Sequence, residues 1–140
     1  MRFLWLTLLI VFTIFIFFCS GMPASESGKM SGYVVEVLYA VYDMLGISPD
    51  GNLEYSVRKL AHFLEFGGQA WLLCKVYNEF YVSNRASNGY ILFFCLLTAV
   101  VDEYVQFFTP GRSCLVSDVL LDFGGALCAW MFYRICQWSK

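Results

Sequence analysis

The run Phe3-Leu4-Trp5-Leu6-Thr7-Leu8-Leu9-Ile10-Val11-Phe12-Thr13-Ile14-Phe15-Ile16-Phe17-Phe18-Cys19 contains no charge, no proline and no glycine. It is close to the shortest α-helix that spans a hydrocarbon layer about 30 Å thick. Secretory leaders also combine a basic start with an apolar run. Here Arg2 is the only basic residue ahead of the run, and no A-x-A cleavage site follows it. The apolar stretch is also long for a leader, so the reading is an uncleaved membrane anchor.

Composition supports the same medium. Of 140 residues, 59 % are hydrophobic and 14 % charged, and the mean hydropathy is +0.63. A soluble domain has about 45–50 % apolar and roughly 25 % charged residues. So few charges cannot cover a water-facing surface, and the surplus apolar area must meet lipid. A net charge of −2 with no basic stripe excludes a nucleic-acid partner. The six cysteines show no CxxC or metal-finger spacing. Four of them (Cys74, Cys95, Cys128, Cys136) lie in apolar stretches as small hydrophobes. Cys19 and Cys114 fall on one side of the membrane and offer a disulfide.

Three further apolar segments, residues 56–77, 90–108 and 116–136, have spanning length. Residues 20–54 are richer in Gly, Ser and scattered charge. Within them Tyr33, Val34, Val37, Leu38, Val41 and Leu45 recur at helical spacing, with Glu36 and Asp43 on the other face. That pattern predicts a helix over residues 31–45 lying in the membrane interface. Residues 46–52 read as a turn, and residues 78–89 and 109–113 as short connections. The expected fold is all-α: one membrane domain over residues 1–140, a four-helix transmembrane bundle with an interfacial amphipathic helix between its first two spans.

With cytoplasmic termini, Arg2, Lys75, Arg85, Arg134 and Lys140 lie inside, and Lys29, Arg58, Lys59 and Arg112 outside. Setting aside Arg58 and Lys59, which belong to a polar cluster, the loop charges favour inside termini and a multi-pass protein of the cell membrane.

That cluster is the chemical signal. The second segment opens Arg58-Lys59-Leu60-Ala61-His62-Phe63-Leu64-Glu65-Phe66-Gly67-Gly68-Gln69, placing Arg58, His62, Glu65 and Gln69 in one stripe. The third segment ends with Asp102, Glu103 and Gln106. The fourth begins with Asp118 and Asp122, one turn apart. An ionisable group at the centre of a lone span costs about 2.5–3.5 kcal/mol on insertion scales. Such groups persist by facing the bundle interior and by pairing. Because successive spans run in opposite directions, all three stripes reach the same side of the membrane, where Arg112 joins them. Three fixed cations (Arg58, Lys59, Arg112) then meet five acids (Glu65, Asp102, Glu103, Asp118, Asp122). Protons, a bound cation, solvation or a basic ligand group would each balance the excess, and the residues alone leave these open. The reading assigns no cofactor and no metal. A network that only holds helices together is the alternative, and close helix packing is the expected role of Gly67, Gly68, Gly124, Gly125, Ala126 and Ala129.

The motifs Arg58-Lys59-x-x-His62-x-x-x-Phe66, Asp102-Glu103-x-x-Gln106-x-x-x-Pro110-Gly111-Arg112 and Asp118-x-x-x-Asp122, in this order, resemble the VanZ-like family. The resemblance spans roughly residues 53–133. It departs where members often carry Asn and this chain has Gly124 or Gly125. It implies a bacterial cell-envelope protein, with teicoplanin and antibiotic resistance as the family context.

The leading functional expectation is a non-enzymatic envelope protein that binds a polar lipid head group or cell-wall precursor at the outer interface. In it, Arg58, Lys59 and Arg112 hold phosphate or carboxylate. Its partners would be membrane lipids, and a lipid-linked precursor or an envelope protein. The alternative is an enzyme on a lipid-linked substrate, with His62 and Glu65 as acid and base and Asp118 and Asp122 assisting or holding a metal. Their H-x-x-E spacing is not HExxH, and no G-x-S-x-G elbow, P-loop or dinucleotide fingerprint is present. An ion relay is disfavoured because the ionisable groups collect at one end, and a partner-recruiting scaffold completes the set.

Overall fold

In a computed structural model of the chain, residues 2–46, 52–80 and 85–138 are described. Among them are five helices and no strand: α1 (Arg2–Ser20), α2 (Ala24–Leu45), α3 (Leu53–Phe80), α4 (Arg85–Phe107) and α5 (Val116–Trp138). The all-α expectation therefore holds. Helices α1, α4 over Asn88–Phe107 and α5 over Val116–Gln137 are long and apolar enough to cross a membrane. The expected span over residues 56–77 lies inside α3, which does not qualify, because ionisable residues stand in its first turns and again near its end.

The packing explains how α3 tolerates those residues. It is the hub of the bundle, in contact with α1, α2, α4 and, most extensively, α5. Phe66, Ala70 and Cys74 are buried at one-turn intervals along it, against Ile16, Cys95, Ala99 and Ala126. The α3–α5 crossing is tight because of Gly125, where a Cβ would stand 2.0 Å from the Phe63 carbonyl oxygen. Outside this core, Phe3, Ile14, Phe18, Phe93, Leu120 and Ile135 are exposed. A protein in water would not leave so much apolar surface bare.

At the end of the bundle formed by the α1 N-terminus, Lys75 Nζ stands 5.6–5.7 Å from the ring centroids of Trp5, Trp71 and Tyr133. The aromatic faces accommodate the ammonium there.

Helix α2 begins at Ala24, seven residues before the expected start at residue 31. The Pro23 carbonyl already accepts from the Glu26 and Ser27 N–H groups, so the helix nucleates at the proline. Among the described side chains, no hydrophobic residue of α2 belongs to the buried core, and Tyr33, Val37, Met44 and Leu45 are widely exposed. Gly46 closes α2 in the left-handed conformation at φ +67°, its N–H donating to Asp43 and Tyr42 carbonyls. The rest of the expected turn, residues 47–51, lies outside the described residues. Asn52 Oδ1 accepts from the Tyr55 N–H at 3.2 Å as an N-cap of α3. The disulfide expectation is corrected: Cys19 and Cys114 are free thiols.

Candidate functional site

The C-terminal ends of α1 and α4 and the N-terminal ends of α3 and α5 meet at one end of the bundle, joined by the loop between α4 and α5. The loop is fixed first. Thr109 Oγ1 donates to the Ser20 carbonyl at 3.2 Å, and the Ala24 N–H donates to the Pro110 carbonyl at 3.2 Å. Gly111, at φ +76°, lets the loop sit against Ala24, where a Cβ would stand 3.1 Å from the alanine methyl.

Arg112 is then committed to the backbone. Its Nε donates to the Met22 carbonyl at 3.1 Å and an Nη to the Cys19 carbonyl at 3.0 Å. A guanidinium there complements the carbonyl end of α1. Burial, reinforced by the Arg58 charge, lowers its pKa from the ordinary value, while Asp102, Cys19 and Glu103 oppose the shift. Arginine stays charged throughout.

Glu103, also buried, accepts from the Leu115 N–H at 2.9 Å and so caps the start of α5. Lys59 and Asp118 form an ion pair between α3 and α5. The lysine also lies 5.2 Å from the Tyr55 ring centroid. Arg58 makes no ion pair and no hydrogen bond among the described residues.

Beneath these groups lie His62, Asp102 and Asp122, from three different helices. One potential ligand atom from each falls within 4.8 Å of the others. Asp102 is 0 % and Asp122 1 % exposed. Gln106 donates to Asp102 Oδ2 at 2.9 Å, while Asp102 Oδ1, both Asp122 oxygens and His62 Nδ1 have no hydrogen-bond partner. The His62 Nδ1 to Asp122 Oδ1 separation of 3.9 Å is too long for one.

Gln69 stands apart, a turn or more further along α3. Its Nε2 donates to Thr13 Oγ1 at 3.0 Å and its Oε1 accepts from Thr98 Oγ1 at 2.9 Å, tying α1, α3 and α4 together. Sequence reasoning missed Thr13, Thr98 and Ser20. Ser20 Oγ is buried near Asp102 without meeting hydrogen-bond geometry. Lone hydroxyls in apolar runs gave no signal.

Two cavities open on this end. One, of about 100 Å³, is lined by residues including Tyr55, Arg58, Lys59, His62, Arg112 and Asp118. The other, of about 200 Å³, is lined by residues including Cys19, Met22, Arg58, His62, Glu65 and Arg112. Arg58, His62 and Arg112 line both. The arrangement can receive an anionic group between two guanidinium groups, beside an imidazole.

Residues 4–137 match the family model described as VanZ/LLP1. No curated protein and no solved structure matches the chain.

Proposed function

The chain belongs to the VanZ/LLP1 family, and from that premise we propose that it is a four-span envelope protein binding the anionic head group of a membrane lipid or lipid-linked cell-wall precursor at its polar end. The fourth span is α3. Its 28 residues reach about 42 Å at 1.5 Å per residue, and its ionisable side chains Arg58, Lys59, His62 and Glu65 are partly buried in the bundle. Four spans put both termini on one side, inside by the loop charges, and the polar end outside. Helix α2 lies in the interface beside it, with its apolar side chains in the acyl boundary. A bound cell-wall precursor would connect the protein to glycopeptide susceptibility.

Arg58 is the observation that supports this reading. It is a guanidinium lining both cavities with no carboxylate or carbonyl acceptor among the described residues. Charge without a partner at a membrane boundary calls for an anion, and guanidinium binds phosphate bidentately. The test measures retention of phosphatidylglycerol against phosphatidylcholine by the purified protein. Wild type should prefer the anionic lipid, and Arg58→Ala should lower that preference about 10-fold, the loss of one charge-assisted contact. Equal retention by wild type and Arg58→Ala refutes the reading.

One geometric fact favours a second reading. His62 and Glu65 line the same cavity as Arg58 and Arg112, where an acid–base pair would reach a lipid-linked phosphate. Turnover of a labelled lipid-linked precursor, abolished by His62→Ala, would establish it.

A further inference from the structure

His62, Asp102 and Asp122 raise a question that head-group binding does not answer: what meets their unpaired atoms? Four buried polar atoms in one small volume lack partners: His62 Nδ1, Asp102 Oδ1 and both oxygens of Asp122. Buried carboxylates are ordinarily paired, hydrogen-bonded or bound to metal. The neighbouring cations are otherwise engaged, Lys59 by Asp118 and Arg112 by the carbonyls of Cys19 and Met22.

We propose that His62, Asp102 and Asp122 form a binding site for a divalent transition-metal ion. Two carboxylates offset its charge, and a neutral imidazole supplies the third ligand. Metal–ligand bonds of about 2.0–2.2 Å put ligand atoms roughly 3–4 Å apart, so the observed spread of up to 4.8 Å closes with small side-chain rotations. Mixed imidazole and carboxylate ligation suits zinc or manganese better than calcium or magnesium. Gln106, donating to Asp102 Oδ2, orients that carboxylate from outside the ligand set. Three protein ligands leave coordination positions open. His62 lines both cavities, so those positions face the space in which Arg58 would hold an anion, and an anionic head-group oxygen can complete the shell. This last step rests on the proposed head-group reading; the metal site itself does not.

Sequence spacing hid the site. Its ligands are forty and twenty residues apart, one per helix, and match no metal motif.

The chain contains a single histidine, His62, which gives a readout without mutation. Full-length protein in detergent, stripped with chelator, is titrated with Zn²⁺ or Mn²⁺ alone. Expected are about one ion per chain and protection of the histidine from diethylpyrocarbonate. Asp122→Asn and Asp102→Asn should each weaken binding at least about 10-fold, while Asp43→Asn, an exposed acid of α2, retains it. All six cysteines persist in these variants, so metal held by thiols appears as binding that Asp122→Asn does not change. That result, the absence of a bound ion in wild type, or histidine reactivity indifferent to metal overturns the proposal. If Asp122→Asn fails to fold, the wild-type protection experiment decides. Arg58→Ala should keep the ion and lose lipid preference, so the two proposals fail separately.

Discussion

Gly125 passes directly beneath the carbonyl of Phe63: a Cβ on the glycine would stand 2.0 Å from that oxygen and 2.9 Å from its carbon. Since both obstructing atoms are backbone, no rotamer change can relieve the clash. Phe63 adjoins His62, and Gly125 lies one turn beyond Asp122, so the crossing sets the spacing of the buried polar residues. Gly125→Ala should therefore destabilise the fold by about 3 kcal/mol, the upper part of the range for overpacking. Thermal unfolding in detergent would measure it. Position 125 cannot take a side chain in this chain without moving α3.

Arg112→Lys should lower stability despite keeping the charge. A single ammonium cannot reproduce the planar fork that reaches the carbonyls of both Cys19 and Met22. Losing one such bond costs about 1.5–3 kcal/mol. Hydrogen exchange should show faster opening around residues 19–22, with α5 unaffected; unchanged exchange there would contradict the assignment.

Glu103→Ala leaves the Leu115 N–H without its 2.9 Å acceptor. A lost helix cap costs about 0.5–2 kcal/mol. Glu103→Gln keeps a carbonyl acceptor and should recover part of the loss. Unfolding midpoints of the two variants that coincide would show that the bond contributes nothing.

Gln69→Leu removes both bonds that tie α1 and α4 to α3 and leaves the Thr13 and Thr98 hydroxyls to the helix backbone. Interhelical hydrogen bonds in membranes average about 0.6 kcal/mol each, so a loss near 1 kcal/mol is expected. A double-mutant cycle with Thr98→Val should show coupling of that order. Lipid preference should not change, because Gln69 lines neither cavity.

In a cysteine-free background, Ser113→Cys should react with an impermeant thiol reagent on intact cells and Ser83→Cys should not. Ser113 lies in the exposed loop at the polar end, and the inside-termini reading puts residue 83 in the cytoplasm. Reversed labelling would invert the topology or remove the α3 span, and labelling of both would contradict a crossing by α4.

The spans were readable because lipid imposes a crude filter. Apolar runs of spanning length placed α1, α4 and α5 within a few residues of their ends. The meeting of Arg58, His62, Asp102, Glu103, Arg112, Asp118 and Asp122 at one end followed from alternating helix direction and the cost of lone charges. The assignments within that end did not follow. Arg112 and Glu103 are held by backbone carbonyls and an N–H group, and the main chain offers the same groups at nearly every position. Gln69 was grouped with the charged residues by its helical stripe, yet its partners are threonine hydroxyls from two other helices. The start of α2 was missed because periodicity begins at Tyr33, whereas the helix begins at the proline.

The Arg112 bonds to Met22 and Cys19 join positions 90 and 93 residues apart. During synthesis the first helix therefore leaves the ribosome long before the residue that fastens it exists. Until the α4–α5 hairpin arrives, its only partner from the bundle core is α3. A nascent chain arrested ahead of that hairpin would leave α1 inserted but unlatched, free to associate with other membrane helices.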